Sequence, residues 1–203
     1  MVGQPNLKTQ PATRNFATLL KITIPPSQGG EKIRHHKSII MTRGIRNNNP
    51  LNIRRTATRW QGACKEQKDK SFVQFKTMAY GYRAAWLILQ SYYHRFYVKS
   101  KPFTVRNIIG RWAPPKENDT EAYVHSVMRL GSIGGKENLL PPENVDSYGR
   151  LSKMIAAMTC IECGIRMNQV DEEAIFQGYK LAFPENARAL DEWMLGEDEY
   201  ADW

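Results

Sequence analysis

The chain has 203 residues, 41% of them apolar and 24% charged, with a net charge of +9. That composition suits one domain with a true core plus tails and excludes a chain that is disordered throughout. No apolar run approaches the roughly 18 to 20 residues that span a bilayer. The opening residues do not read as a secretory signal, because the short mixed run at 15–24 contains a lysine and leads into Pro25-Pro26, so synthesis in the cytoplasm without a signal peptide is expected.

Residues 1–41 carry six Lys/Arg against one acid and have no sustained period, which reads as a disordered basic arm. The next 143 residues, 42–184, carry 22 Lys/Arg against 12 acids and form the expected domain. Such a basic body favours polyanions: nucleic acid, a membrane surface or the anionic cell wall. Its first stretch, Gly44 to Arg54, packs four asparagines around Pro50, poor material for a helix or a strand and good material for a tightly hydrogen-bonded loop. Short extended pieces follow, of which 71–75 alternates like a small strand. A helix over 79–97 is apolar around most of its circumference and is expected to be the central buried one. Thr104 caps a short helix that ends at Trp112 before Pro114-Pro115. Asn118 and Glu121 have the spacing of a capping box for a helix to Leu130. Ser147 introduces a helix closed by Gly164, and an amphipathic helix over 171–183 ends before Pro184. Residues 185–203, with one Arg against seven acids, read as an acidic tail.

Along the helix after Ser147, Leu151, Met154, Ile155 and Met158 share one face, and the same steps land on Glu162. A carboxyl group that closes an apolar stripe can remain protonated near neutral pH and deliver a proton to a leaving group. The alternative is a last-turn glutamate that bends to solvent or pairs with Arg166. Glu117 is a rival carboxylate at a helix entrance, where the dipole favours the charged form; it suits an anionic helper, or simply a helix cap. Trp112 and Tyr123 flank it and are candidates to line a sugar groove, with core packing as the other reading. Asn48, Asn49, Trp60 and Gln61 are further candidates for holding a polar polymer, through amides and an aromatic face.

Cys160 and Cys163 have redox spacing but fall at the wrong end of a helix for low-pKa thiols. An odd number of cysteines, three, gives no disulfide framework. The four histidines, His35, His36, His94 and His125, are scattered, so no metal is expected. No phosphate-cradling glycine loop or dinucleotide turn occurs, so no cofactor is expected. Arg43, Arg46, Arg54, Arg55 and Arg59 offer a nucleic-acid reading, which the absence of a base-stacking signature disfavours.

The run Met154 to Gly164 resembles the catalytic helix of lysozyme-like peptidoglycan hydrolases and lytic transglycosylases, where an apolar run ends in Glu, a small residue and Gly. Asn49 to Arg54, Trp60-Gln61-Gly62, Phe72 to Phe75 and Gly81 to Ala84 are similar to the stretch that follows that helix in the glucosaminidase branch. The order of the two segments is reversed here, which a circular permutation would reconcile. Across about 42–183, Gly-Ile-Arg-Asn-Asn-Asn-Pro and Arg-Trp-Ala-Pro-Pro-x-Glu-Asn-Asp-Thr resemble a phage and prophage family of virion-associated proteins. The resemblance implies a mainly α, lysozyme-like helical domain with a small extended or β lobe near its start. It implies cleavage of peptidoglycan glycan strands by a muramidase, glucosaminidase or lytic transglycosylase, with Glu162 as general acid and no cofactor. The protein would then act at the cell wall after lysis or from a virion, beside other virion or lysis proteins. The alternatives are a non-catalytic virion or wall-binding component and, more remotely, a nucleic-acid-binding protein.

Overall fold

A computed structural model of the chain describes residues 41–116 and 118–197. The fold is mainly helical. A single turn α1 (Arg43–Arg46) leads into the Asn-rich loop, and the helices α2 (Met78–Val98), α3 (Val105–Trp112), α4 (Thr120–Gly131), α5 (Tyr148–Cys163), α6 (Glu172–Ala182) and α7 (Ala187–Glu197) follow. The expected basic arm lies outside the described residues, as does the end of the acidic tail from 198 onward.

α2 is the central helix, with Tyr82, Ala85, Trp86, Leu89, Tyr92 and Phe96 all buried. It packs along α6, and the two backbones meet at Gly178, where a Cβ would fall 2.6 Å from the Cβ of Tyr82 and 3.0 Å from the carbonyl oxygen of Ala79. No larger residue fits that crossing without moving a helix. An aromatic cluster locks α2, α5 and α6 together: Trp86 stacks on Tyr148 at 5.8 Å between centroids and meets Tyr179 edge-on at 5.1 Å. Buried aromatics of this kind supply both area and geometry, provided their polar tips are paired. Here the Trp86 indole donates to the Ile175 carbonyl and the Tyr179 hydroxyl to that of Glu143.

The helix caps show which local signals operate. The Thr104 hydroxyl accepts from the Asn107 amide and the Asp171 carboxylate from the Ala174 amide. Gly164 closes α5 in the left-handed region at φ 63°. The expected capping box at α4 does not form, because Asp119 takes the cap by accepting from the Ala122 amide, while Glu121 turns to an ion pair with Arg106. Ser147 does precede α5, but its hydroxyl donates to the carbonyls of Pro141 and Asn144, so it fastens the preceding loop instead of capping the helix.

Two further regions add detail to the sequence reading. The extended lobe over 42–76 contains, among the described residues, two isolated antiparallel bridges, Arg54 with Phe72 and Ala63 with Phe75, and no sheet. Backbone and side-chain amides share the carbonyls here: that of Ile53 accepts from the Val73 amide and from Asn49, that of Gln74 from the Cys64 amide and from Gln67, and that of Val73 from Asn49. The region read as a tail holds α7, anchored by the fully buried Leu190 and by Lys180 of α6 on Asp191 at 2.8 Å.

Asp69 organises the loop region. Its carboxylate accepts from Arg43 Nε at 2.6 Å, Asn47 Nδ2 at 2.9 Å and the amides of Ser71 and Phe72. Burial opposes its ionisation, but these donors outweigh burial and hold the group well below its ordinary value of 3.8. A carboxyl group depressed by folding contributes stability that is complete above the unfolded value and is lost as pH falls toward the folded one. Asp69→Asn should therefore cost about 2 kcal/mol at pH 7. Thermal melts should show that difference shrinking below about pH 4. A constant difference down to about pH 3 would remove Asp69 from the acid response.

Candidate active site

The last turn of a helix leaves carbonyl oxygens without intrahelical partners, and in α5 one of them is the carbonyl of Glu162. Asn52 Nδ2 reaches it at 3.1 Å and, with the same amide, the carboxylate oxygen Glu162 Oε2 at 3.1 Å. The other carboxylate oxygen, Oε1, accepts from the Tyr123 hydroxyl at 3.0 Å and from the Trp112 indole at 3.4 Å. Three elements thus converge on one carboxyl group: the Asn-rich loop, the end of α3 and the first turns of α4. All three donors are uncharged. Leu151, Met154, Ile155 and Met158, the apolar stripe that leads to Glu162, are fully buried.

The loop reaches this position because it docks on the end of α5. Asn48 and Asn52 both adopt φ 49°, a left-handed conformation that asparagine tolerates better than most residues. A Cβ on Gly44 would lie 2.6 Å from Cys163 Sγ, so α1 lies directly against the helix end. The Cys163 thiol donates to the Pro50 carbonyl at 3.2 Å and is pushed up to about 12, chiefly by burial. Burial likewise raises the Cys160 thiol. Neither has the character of a reactive thiolate.

Tyr123 is buried at the centre of the site, and its phenol is raised well above the usual tyrosine range, first by burial and then by the neighbouring Glu162 charge. It stays neutral and keeps its proton for the carboxylate. Asn52 Oδ1 is also buried and has no hydrogen-bond partner among the described residues.

The other candidate residues separate into groups. Trp112 and Tyr123 are buried in the core, 6% and 1% exposed, with their polar tips on Glu162, whereas Glu117 lies outside the described residues. Asn49 is fully buried, its Nδ2 on the carbonyls of Ile53 and Val73 and its Oδ1 on the Ile53 amide, so its side chain holds the loop together. Asn48 donates to the carbonyls of Phe75 and Lys76. Trp60 is 6% exposed and belongs to the core, while Gln61 beside it is exposed. Arg166, the alternative partner for Glu162, reaches Gln169. Of the loop arginines, Arg43 is bound to Asp69 and lies over Phe72, Arg54 lies over the same ring, and Arg55 donates to the Asp69 carbonyl. A residue of the Asn-rich loop that the sequence did not single out for the site, Asn52, is brought to Glu162 by the fold. Nothing local marks it, since its partner is 110 positions away. Among the described residues no cluster of three or more His, Cys, Asp or Glu is placed to hold a metal ion, and no helix is long and apolar enough to cross a membrane.

No family profile matches the chain. A curated protein, Protein P5 of Pseudoalteromonas phage PM2, is 35% identical over 144 residues, a match that covers 70% of this chain and 82% of that protein.

Proposed function

The chain belongs to the family of Protein P5 of Pseudoalteromonas phage PM2, and from that premise we propose that it is a phage-associated enzyme that cleaves the glycan strands of peptidoglycan with Glu162 as general acid. The observation that carries the reading is the Glu162 carboxyl group held by Asn52, Trp112 and Tyr123. As Glu162 gives its proton to the glycosidic oxygen and the bond to the sugar carbon breaks, a carboxylate forms where three fixed donors already stand. Those donors stabilise the charge as it develops and need no reorganisation. Glu117 is assigned the part of anionic helper.

The docking of the Asn-rich loop on the end of α5 supports a circularly permuted lysozyme-like arrangement. The two segments that resemble consecutive stretches of the hydrolases adjoin in space through Asn52 and Glu162, although they are far apart in the chain. The test is incubation of the purified protein with peptidoglycan sacculi. Soluble glycan fragments are expected, and their new ends distinguish attack by water from attack by a hydroxyl of the sugar itself. Sedimentation with sacculi but no release would replace catalysis with wall binding.

A further inference from the structure

Residues 71–116 contain eight Lys/Arg and no Asp or Glu. The fold gathers part of this charge into one cavity of about 320 Å³, lined by His94, Arg95, Phe96, Val98 and Lys99 at the end of α2 and by Arg111 at the end of α3. The Arg111 guanidinium lies 5.1 Å from the centre of the Tyr92 ring, and its Nε is buried with no hydrogen-bond partner among the described residues. The carbonyl ends of α2 and α3 each attract a cation. That accounts for basic residues in their last turns but gives the buried Arg111 Nε–H no acceptor. A planar guanidinium fork with a second cation nearby matches an oxyanion, and phosphate above a single carboxylate, because more than one positive charge faces the cavity.

The rim narrows the source. Tyr97 and Val98, 73% and 82% exposed, stand beside Lys99, and Lys101 lies over the Phe96 ring at 5.2 Å. An aromatic and an aliphatic side chain interleaved with cations suit an anionic lipid surface, where the apolar groups enter the interface and the cations meet headgroup phosphates. We propose that the cavity between the ends of α2 and α3 binds the phosphate of an anionic phospholipid headgroup. The proposal is independent of the role of Glu162.

Because the whole chain is basic, the test compares variants of equal net charge. The full-length protein is sedimented with phosphatidylcholine vesicles with and without phosphatidylglycerol. Binding is expected only with phosphatidylglycerol; Arg111→Gln should weaken it about tenfold, and Lys136→Gln, at an exposed site elsewhere, by no more than about twofold. Arg111→Lys should recover part of the affinity, since it keeps the charge and loses the fork. In the wild type, the ¹H–¹⁵N signal of Arg111 Nε should shift on titration with inorganic phosphate, and thermal melts check that each variant is folded. Equal losses in the Arg111→Gln and Lys136→Gln variants, no binding by the wild type, or an unmoved Nε signal would overturn the site. Tight binding of a short oligonucleotide with the same Arg111 dependence, and none of vesicles, would overturn the lipid assignment.

Discussion

Glu162→Gln should reduce release of soluble fragments from sacculi by two or more orders of magnitude while leaving the protein folded. The amide keeps the shape of the carboxyl group but has no acidic proton to give to the glycosidic oxygen. Its oxygen can retain the Trp112 and Tyr123 donors at the Oε1 position. At the Oε2 position the new NH₂ would face the Asn52 NH₂, two donors head to head. Asn52 can relieve that by turning its own amide, since Asn52 Oδ1 is buried and has no partner among the described residues. The turn removes Nδ2 from the Glu162 carbonyl, so the stability cost should be about 1 kcal/mol, one neutral hydrogen bond. Circular dichroism and melting temperature separate that small cost from the large loss of activity. Undiminished release by this variant would take Glu162 out of the mechanism and leave the cleavage to another group.

How much of this was legible in the sequence depends on the range of the interaction that decides each element. Thr104, Asp171 and Gly164 act within one helical turn, and α3, α6 and the end of α5 appear where those residues place them. Residues 118–121 offered two acids and an amide to the same helix start, and nothing within that turn decides between them; in the fold Asp119 takes the cap and Glu121 pairs with Arg106. α7 was hidden by its charge. Seven acids among 185–203 read as a solvated tail, whereas in the fold Leu190 is seated in the core and the Lys180–Asp191 and Arg188–Glu192 pairs support a helix over 187–197. At the site, Glu162 was legible because it continues a periodic stripe on its own helix. Trp112 and Tyr123 were legible as aromatic neighbours of Glu117 in the chain, while their contact with Glu162 depends on residues 50 and 39 positions away. Asn52 was not legible as a partner of Glu162, because an asparagine beside Ile53 looks the same whether its amide faces the loop or a helix end 110 residues on.

The Asn-rich loop contains both kinds of asparagine, and the contrast between Asn49 and Asn52 gives the second large effect. Removing the Asn49 side chain takes two donors from buried carbonyls and the acceptor from the Ile53 amide at 2.8 Å. No water reaches a residue that is 0% exposed without the loop opening. The Ile53 carbonyl keeps the Val73 amide, so the groups left unpaired are the Val73 carbonyl and the Ile53 amide; each costs about 1 to 3 kcal/mol in the buried limit, and partial relaxation brings Asn49→Ala to about 3 kcal/mol overall. For a domain of this size that is a fall of roughly 10 °C in melting temperature. Asn52 needs a different substitution, because alanine at φ 49° would add backbone strain to the loss of the amide. Asn52→Gly keeps the left-handed backbone free of strain and isolates the side chain. It removes one donor from the Glu162 carbonyl and one from Oε2, both at the partly solvated end of α5. The melting temperature should therefore fall by only a few degrees, consistent with about 1 kcal/mol. Release from sacculi should fall about tenfold or more, since the carboxyl group loses the contact that fixes its second oxygen. Melts and sacculus assays on the same two proteins read both axes. A stable Asn49→Ala variant that has lost cleavage would make Asn49 a substrate ligand, and an Asn52→Gly variant that cleaves normally would show that the Asn52 contact is not needed to hold the carboxyl group in place.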